Sequence, residues 1–358
     1  MKRLRVGVVG TGALGRHHAR IYSTLDTTEL IGVADTSAER GQSVAQACRT
    51  RWYEDFRSLF GEVDAVSIAV PTVGHQAVAS EFLNRRIAVL VEKPLAANVA
   101  EAAALVAAAE LTRTTLQVGH VERFNPAAQV ARRLVGAPRY IRSERMSPYA
   151  FRSTDIGVVL DVMIHDIDLV FDLAGSPLRD VEAFGVSILG ENEDCVQARL
   201  RFDNGCVADL AASRVHPTSR RSMQIWSESG CVSVDFLSRH VVHYTPSDRL
   251  LHGESPLARA RRPGADIEQL KSEIFGQYLH VERPDVPTTD ALTAELASFA
   301  DCVLHGRQPV VDGPAALAAM QAADRILQSV ATHGWNGREA GPVGPFLTVP
   351  DAKRPAAA

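Results

Sequence analysis

Cysteine pairing is absent from this chain. Its five cysteines, at positions 48, 195, 206, 231 and 302, include no C-x-x-C spacing, and their number is odd. This pattern fits a reduced, cytosolic protein and gives no structural zinc site to expect. Long apolar runs are absent too. None is long enough to cross a bilayer, and Met1-Lys2-Arg3-Leu4-Arg5 leads straight into a strand with no signal-peptide core. The expectation is a soluble cytoplasmic protein without a membrane partner. Positive charge is not in excess. Lys and Arg number 38 against 42 Asp and Glu, a net charge of −4, which argues against a broad nucleic-acid surface. It leaves room for a local basic groove that meets an anionic substrate. No internal repeat is visible. What remains is ample apolar material, 46% of 358 residues, in a chain longer than one compact core holds, so two domains are expected.

The stretch GVVGTGALGRHHAR carries Gly10, Gly12 and Gly15 in the order G-x-G-x-x-G, after an apolar run and before a helical pattern. The first glycine permits a tight turn, the second a close approach of backbone to a pyrophosphate, and the third close helix–strand packing. The N–H groups of the helix start then face the phosphates. Thr11, Ala13 and Leu14 complete the loop. A second apolar run, Leu30 to Ala34, ends in Asp35. That carboxylate stands at about the ~20-residue offset of a group that holds the adenosine ribose hydroxyls.

From there to about residue 120 strands and helices alternate. Ser37 is a plausible N-cap, AVSIAV (65–70) is a continuous apolar strand, and Val70, Pro71, Thr72 and His75 follow its end. Another strand, 88–91, runs into Glu92-Lys93-Pro94. This alternation predicts an α/β Rossmann domain, a doubly wound parallel sheet, with its ligand outside the carboxyl ends of the strands. Beyond Gly119 the pattern changes. A helix starts at Phe124-Asn125-Pro126, another spans 157–173, and strands at 180–188, 194–202, 207–213, 221–227 and 231–235 follow, with a hairpin turn at Asn204-Gly205. This predicts an α+β C-terminal domain with a large, mostly antiparallel open sheet. Residues 246–266 read as an exposed loop, and two helices follow at 288–305 and 313–332. The expected domains are 1–120, 121–340 and a Pro/Ala-rich tail, 341–358.

Three groups could carry chemistry. Lys93 follows an apolar strand, and a proline there, cis if the turn requires it, would aim the lysine. A partly desolvated ammonium can stabilise a developing alkoxide. Asp161 and His165, in LDVMIHDIDLVFDL, share one helical face at i,i+4, and Asp168 and Asp172 continue that polar stripe. An imidazole is suited to take a proton near neutral pH, and the carboxylate could orient it; a surface His–Asp pair is the plainer alternative. In GHVERFNP, Arg123 and Asn125 could face the crevice or pin the two domains together. His75 could line the nicotinamide side or simply start its helix. His17 and His18 read as surface positions, and Arg259, Arg261 and Arg262 as a solvated loop. Tyr149 and Arg152 precede the Asp161 helix as possible substrate contacts.

VGVVGTGALGRHHAR, AVPTVGH, VEKPLA and LDVMIHDIDLV together resemble the glucose-fructose oxidoreductase/inositol dehydrogenase/MocA family. The resemblance implies an NAD(P)-dependent dehydrogenase acting on a sugar or nucleotide-sugar hydroxyl. It implies Lys93, Asp161 and His165 as catalytic residues; a metal site of two carboxylates and one histidine on that helix is a lesser reading, since no further ligand is evident, and no metal is expected. It further implies a Rossmann domain followed by an open antiparallel sheet that builds dimers or tetramers. Asp35 is followed by Thr36 and Ser37 with no adjacent arginine, which favours NAD over NADP. GHVERFNP with DVMIHDIDLV is most similar to members that oxidise C3 of UDP-N-acetylglucosamine for lipid A or surface-polysaccharide synthesis. Inositol or a free sugar is the alternative substrate; a redox-neutral glycosidase or epimerase, or a nucleotide-sensing regulator, is the alternative class. Residues 236–290 have no counterpart that can be aligned.

Overall fold

A computed structural model describes residues 3–151, 156–335 and 340–344. Two compact units emerge, residues 1–124 with 289–325, and 125–288 with 326–358. In the first unit β1 (Leu4–Val9), α1 (Gly15–Tyr22), β2 (Thr28–Ala34), α2 (Ala38–Cys48), β3 (Arg51–Tyr53), β4 (Ala65–Ile68), α3 (His75–Leu83), β5 (Ala88–Glu92), α4 (Val99–Thr112) and β6 (Leu116–Gly119) follow one another. The strands form one sheet in the order β3-β2-β1-β4-β5-β6, and every pair is parallel. β1 thus has β2 on one side and β4 on the other, and the carboxyl end of β1 is the switch point where such sheets bind ligand. β4 and β5 are buried along their whole length, which explains their unbroken apolar reading. Ser37 caps as expected, accepting from the N–H of Arg40, and Asn98 caps α4 by accepting from that of Glu101.

The second unit contains α5 (Pro126–Leu134), β7 (Pro138–Met146), α6 (Ile164–Ala174), β8 (Leu178–Val186), β9 (Cys195–Phe202), β10 (Val207–Ser213), β11 (Arg220–Ser227), β12 (Gly230–Asp235) and β13 (His240–Pro246). Three short helices, α7 (Asp248–His252), α8 (Pro256–Ala260) and α9 (Ile267–Glu273), precede β14 (Leu279–Glu282). Eight strands pair in the order β14-β13-β12-β11-β7-β10-β9-β8; β7–β10 is parallel and the other pairs are antiparallel. Ile141, Ser143 and Arg145 of β7 are buried, whereas the alternating Tyr140, Arg142 and Glu144 are more open.

Two expectations change here. Residues 246–266 are not a loop but carry α7 and α8, whose starts are marked by Ser247 and by Ser255 with Pro256. Arg259 is not solvated there: it pairs with Glu273 and donates to the Tyr278 hydroxyl at 3.0 Å. The last helices are α10 (Ala291–His305) and α11 (Gly313–Thr332). Leu296, Phe299 and Ala300 of α10 lie in one buried cluster with Val6, Val8, Tyr22 and Leu90. Residues 289–325 therefore belong with the first unit, whereas a division at 120/121 gives them to the second. The tail begins as part of the second unit's sheet, with Ser187 N–H donating to Val343 O and Val343 N–H to Gly185 O. Residues 345–358 lie outside the described residues. Among the described residues no helix is long and apolar enough to cross a membrane.

Candidate functional site

The three loop glycines differ in what surrounds them. Gly10 has φ +86°, and a Cβ there would lie 2.7 Å from the carbonyl oxygen of Ala69. A Cβ on Gly15 would lie 1.8 Å from the oxygen of Gly10. A Cβ on Gly12 would meet nothing within 4 Å. The first and third glycines are thus demanded by the chain's own packing, and the second faces open space. This is the division of labour that a dinucleotide pyrophosphate imposes on this loop. Ala13 and Leu14 lead from Gly12 to the start of α1, whose first N–H groups could hold a phosphate.

Asp35 is buried at the end of β2. Its Oδ2 accepts from the Thr11 N–H (2.8 Å) and hydroxyl (2.7 Å), and its Oδ1 from the Ser37 N–H (2.8 Å) and the Arg40 guanidinium (3.0 Å). Burial pushes this carboxyl up, but the hydrogen bonds from Thr11, Ser37 and Arg40 outweigh it and hold it below the usual aspartate range. The lack of an arginine beside Asp35 holds only along the chain. In space Arg40, on the first turn of α2, reaches it.

The Lys93–Pro94 peptide is cis. Two buried groups brace this turn within the first unit. His75 is buried at the start of α3, with Nδ1 2.8 Å from Pro94 O and Nε2 3.0 Å from Val70 O. Its ring therefore ties the segment after β4, which holds Val70, Pro71 and Thr72, to the segment after β5. The second group is Glu92. Its Oε1 lies 3.0 Å from Nε2 of His18, and its Oε2 accepts from the Lys93 N–H at 3.3 Å. His18 Nδ1 in turn lies 2.6 Å from the Ser67 hydroxyl in the middle of β4. His18 is fully buried, contrary to the surface position read from sequence. The inner face of α1 is Gly15, His18, Ala19 and Tyr22, an i, i+3, i+4, i+7 set. That phase, with a lone Ser67 inside an apolar strand, was the signal available.

Asp161 and His165 lie in the second unit, on either side of a change in helix type. Asp161 is buried in a π-helical turn, Val159–Met163, and His165 is half-buried in the first turn of α6. The i,i+4 argument assumed α-helical pitch throughout, and the wider π turn removes that assumption between these two residues. The start of the turn is built by Glu193. Its backbone oxygen accepts from the Val158 N–H (2.9 Å) and its carboxylate from the Val159 N–H (3.1 Å). A Cβ on Gly157 would lie 2.0 Å from Glu193 Oε1, so a larger residue there would displace the carboxylate that caps the turn. Burial pushes the Glu193 carboxyl above the usual range. Arg214 continues the brace, donating to Asp194 (2.7 Å) and to Ile156 O (2.6 Å).

The rest of the polar stripe is buried or paired. Asp168 is buried, and Asp172 pairs with Arg132 of α5 at 2.6 Å. Asp166 forms a buried ion pair with Arg145 at 2.7 Å, which sequence reading missed because Arg145 sits in a strand of mixed polarity. Arg123 lies in a 3-10 turn, Val121–Phe124, that closes the first unit. Asn125 is the N-cap of α5 and accepts from the Ala127 N–H at 3.0 Å. Tyr149 stacks under Arg214, whose guanidinium carbon is 5.5 Å from the ring centre; Arg152 lies outside the described residues.

Residues 4–120 match the family described as "Oxidoreductase family, NAD-binding Rossmann fold", and residues 99–233 match its GFO/IDH/MocA C-terminal domain. UDP-N-acetylglucosamine 3-dehydrogenase of Acidithiobacillus ferrooxidans is 37% identical over 333 residues, covering 92% of this chain and 98% of the relative. A solved structure of that enzyme superposes with a TM-score of 0.81 at 36% identity, covering 92% of this chain and 98% of the other. The scyllo-inositol 2-dehydrogenase (NAD(+)) of Bacillus subtilis is 27% identical over 332 residues, 86% of this chain and 89% of its own.

Proposed function

The chain belongs to the GFO/IDH/MocA oxidoreductase family, and from that premise we propose that it oxidises the C3 hydroxyl of UDP-N-acetylglucosamine with NAD. The observation that carries the reading is the glycine loop: its packing leaves Gly12 open while demanding Gly10 and Gly15. Gly10 to Gly15 with the α1 N-terminus would hold the pyrophosphate, and Asp35 the adenosine ribose. Val70, Pro71, Thr72, Glu92 and Lys93 would line the crevice at the strand ends, with His75 bracing it from within. The bound nicotinamide supplies a hydride acceptor. Asp35 favours NAD, because a buried carboxylate held in its charged form repels a 2′-phosphate, and Arg40 is already committed to it.

His165 takes the proton of the reacting hydroxyl as general base. Lys93 donates a hydrogen bond to the same oxygen and stabilises the charge that develops as the proton leaves. Asp161 orients the sugar or the imidazole, with Arg123 and Asn125 as candidate contacts to the rest of the substrate. The product, a 3-keto nucleotide sugar, would enter lipid A or surface-polysaccharide synthesis, and the enzyme would work in the cytoplasm as a dimer or tetramer. The near-complete mutual coverage with the nucleotide-sugar enzyme of Acidithiobacillus ferrooxidans, at 37% identity, supports this substrate over inositol. The test is reduction of NAD by purified protein offered UDP-N-acetylglucosamine, UDP-N-acetylgalactosamine, inositols and free hexoses. Reduction with inositol or hexose alone would discard the nucleotide-sugar assignment.

A further inference from the structure

A row of buried polar groups crosses the first unit where a doubly wound sheet ordinarily packs apolar side chains. Ser67 of β4 and His18 of α1 are fully buried, and Glu92 at the end of β5 nearly so. The row is continuous: Ser67 Oγ to His18 Nδ1 is 2.6 Å, His18 Nε2 to Glu92 Oε1 is 3.0 Å, and Glu92 Oε2 accepts from the Lys93 N–H at 3.3 Å. The space around the Glu92 carboxyl is closed on the β6 side, since a Cβ on Gly119 would lie 3.0 Å from it. A buried polar row that holds a carboxylate is seldom a gain in stability over apolar packing of the same volume. This one ends at the residue that carries the ammonium.

We propose that Glu92, pinned by His18, is a positioning residue for Lys93: it fixes the backbone of the Lys93 turn and sets a negative charge beside the lysine. The inference rests on the catalytic role read for Lys93 above. The pinning has a charge component as well as a geometric one. Burial raises the Glu92 carboxyl, and the His18 ring and the Lys93 ammonium outweigh burial and keep it ionised. The attraction is mutual, so an ionised Glu92 favours the protonated lysine, the form that can donate to the reacting oxygen. The other titratable groups around Glu92 are consistent with this. Tyr22 of α1 is held protonated by burial, Glu295 of α10 is buried beyond it, and His75 of α3 is disfavoured as a cation by burial. His18 also lies one turn inside the helix that follows the glycine loop, so the row joins the cofactor loop's helix to the Lys93 turn.

The test compares Glu92→Gln, Glu92→Asp, His18→Gln and Lys93→Met in the full chain, by NAD binding, kcat, KM and the pH profile of kcat. Glu92→Gln should lower kcat about tenfold or more, toward the ~10²–10³-fold lost with a whole electrostatic donor, and should lower it by more than it weakens NAD binding. Its alkaline limb should move to lower pH by about one unit, because the lysine loses its proton more readily without the carboxylate. Glu92→Asp keeps the charge and should return the limb toward the wild-type position. If Glu92→Gln does not fold, His18→Gln decides: a lowered kcat with intact NAD binding supports the proposal, and a wild-type kcat overturns it. Lys93→Met inactive while Glu92→Gln keeps wild-type kcat and pH profile would overturn this inference alone. Lys93→Met at wild-type rate would overturn the catalytic reading and this inference together.

Discussion

Alanine at Gly12 and alanine at Gly15 should separate ligand binding from folding. At Gly15 the new methyl would lie 1.8 Å from the oxygen of Gly10, well inside van der Waals contact, and the neighbour is backbone. Overpacking of this kind costs about 1–3 kcal/mol and more where backbone must move. At Gly12 the methyl meets no heavy atom within 4 Å. Replacing glycine at a compatible site stabilises by about 0.4–1 kcal/mol through the unfolded chain. Gly12→Ala should therefore melt at or slightly above the wild-type temperature without cofactor. With NAD present the order should reverse. At a ligand concentration of 100 times its dissociation constant, binding stabilises by about 2.7 kcal/mol; a hundredfold weaker variant retains only about 0.4 kcal/mol. Thermal melts with and without NAD, with binding by calorimetry, read both effects. A Gly12→Ala variant that binds NAD like wild type would refute the claim that this open space belongs to the pyrophosphate.

Other consequences follow from the same geometry. His165→Ala should lower turnover by about 10²–10⁴-fold, the range for a general base, with NAD binding retained; an unchanged rate removes His165 from the mechanism. Arg145→Met should destabilise by about 3–5 kcal/mol in urea unfolding, because it leaves the buried Asp166 carboxylate without its partner, whereas a loss below about 1 kcal/mol would mean the pair is not buried in solution. Asp35→Ala should raise the use of NADP relative to NAD, since it removes the repelling carboxylate and releases Arg40; an unchanged cofactor ratio would show that discrimination lies elsewhere. Asp35 also adds a pH dependence. Its folded-state pKa is depressed, so its share of stability is present above the ordinary aspartate value and disappears as pH falls through the depressed one. The stability gap between wild type and Asp35→Ala should narrow in that acidic window.

The parallel sheet was legible because each of its central strands is buried on both faces and reads as a short apolar run between strong caps. Asn125-Pro126 and Ser37 cap where the sequence places them. The glycine loop and the strand-end Asp35 and Lys93 follow from local chemistry in the same way. Contacts between residues far apart in the chain were not legible. Even Arg40, five positions on, reaches Asp35 only because α2 folds back over the end of β2, and His18 meets Glu92 at a separation of 74 positions. A π turn at Asp161 has no sequence signature in composition or periodicity. It is recognised only once Glu193, from the approach to β9, caps Val158 and Val159. The short helices α7 to α9 were missed for a different reason: their caps were present, but helices of five to seven residues are too short for periodicity to register.

The most direct measurement mixes the purified protein with NAD and UDP-N-acetylglucosamine and follows nicotinamide reduction, with the oxidised sugar identified by mass spectrometry and NMR. Cofactor retained by the purified protein is measured in the same sample, so that tightly held NADH does not mask turnover. The account predicts reduced nicotinamide and a product two hydrogens lighter, with its carbonyl at C3. NAD bound but no oxidation of UDP-N-acetylglucosamine, with turnover of another substrate or of none, would contradict it.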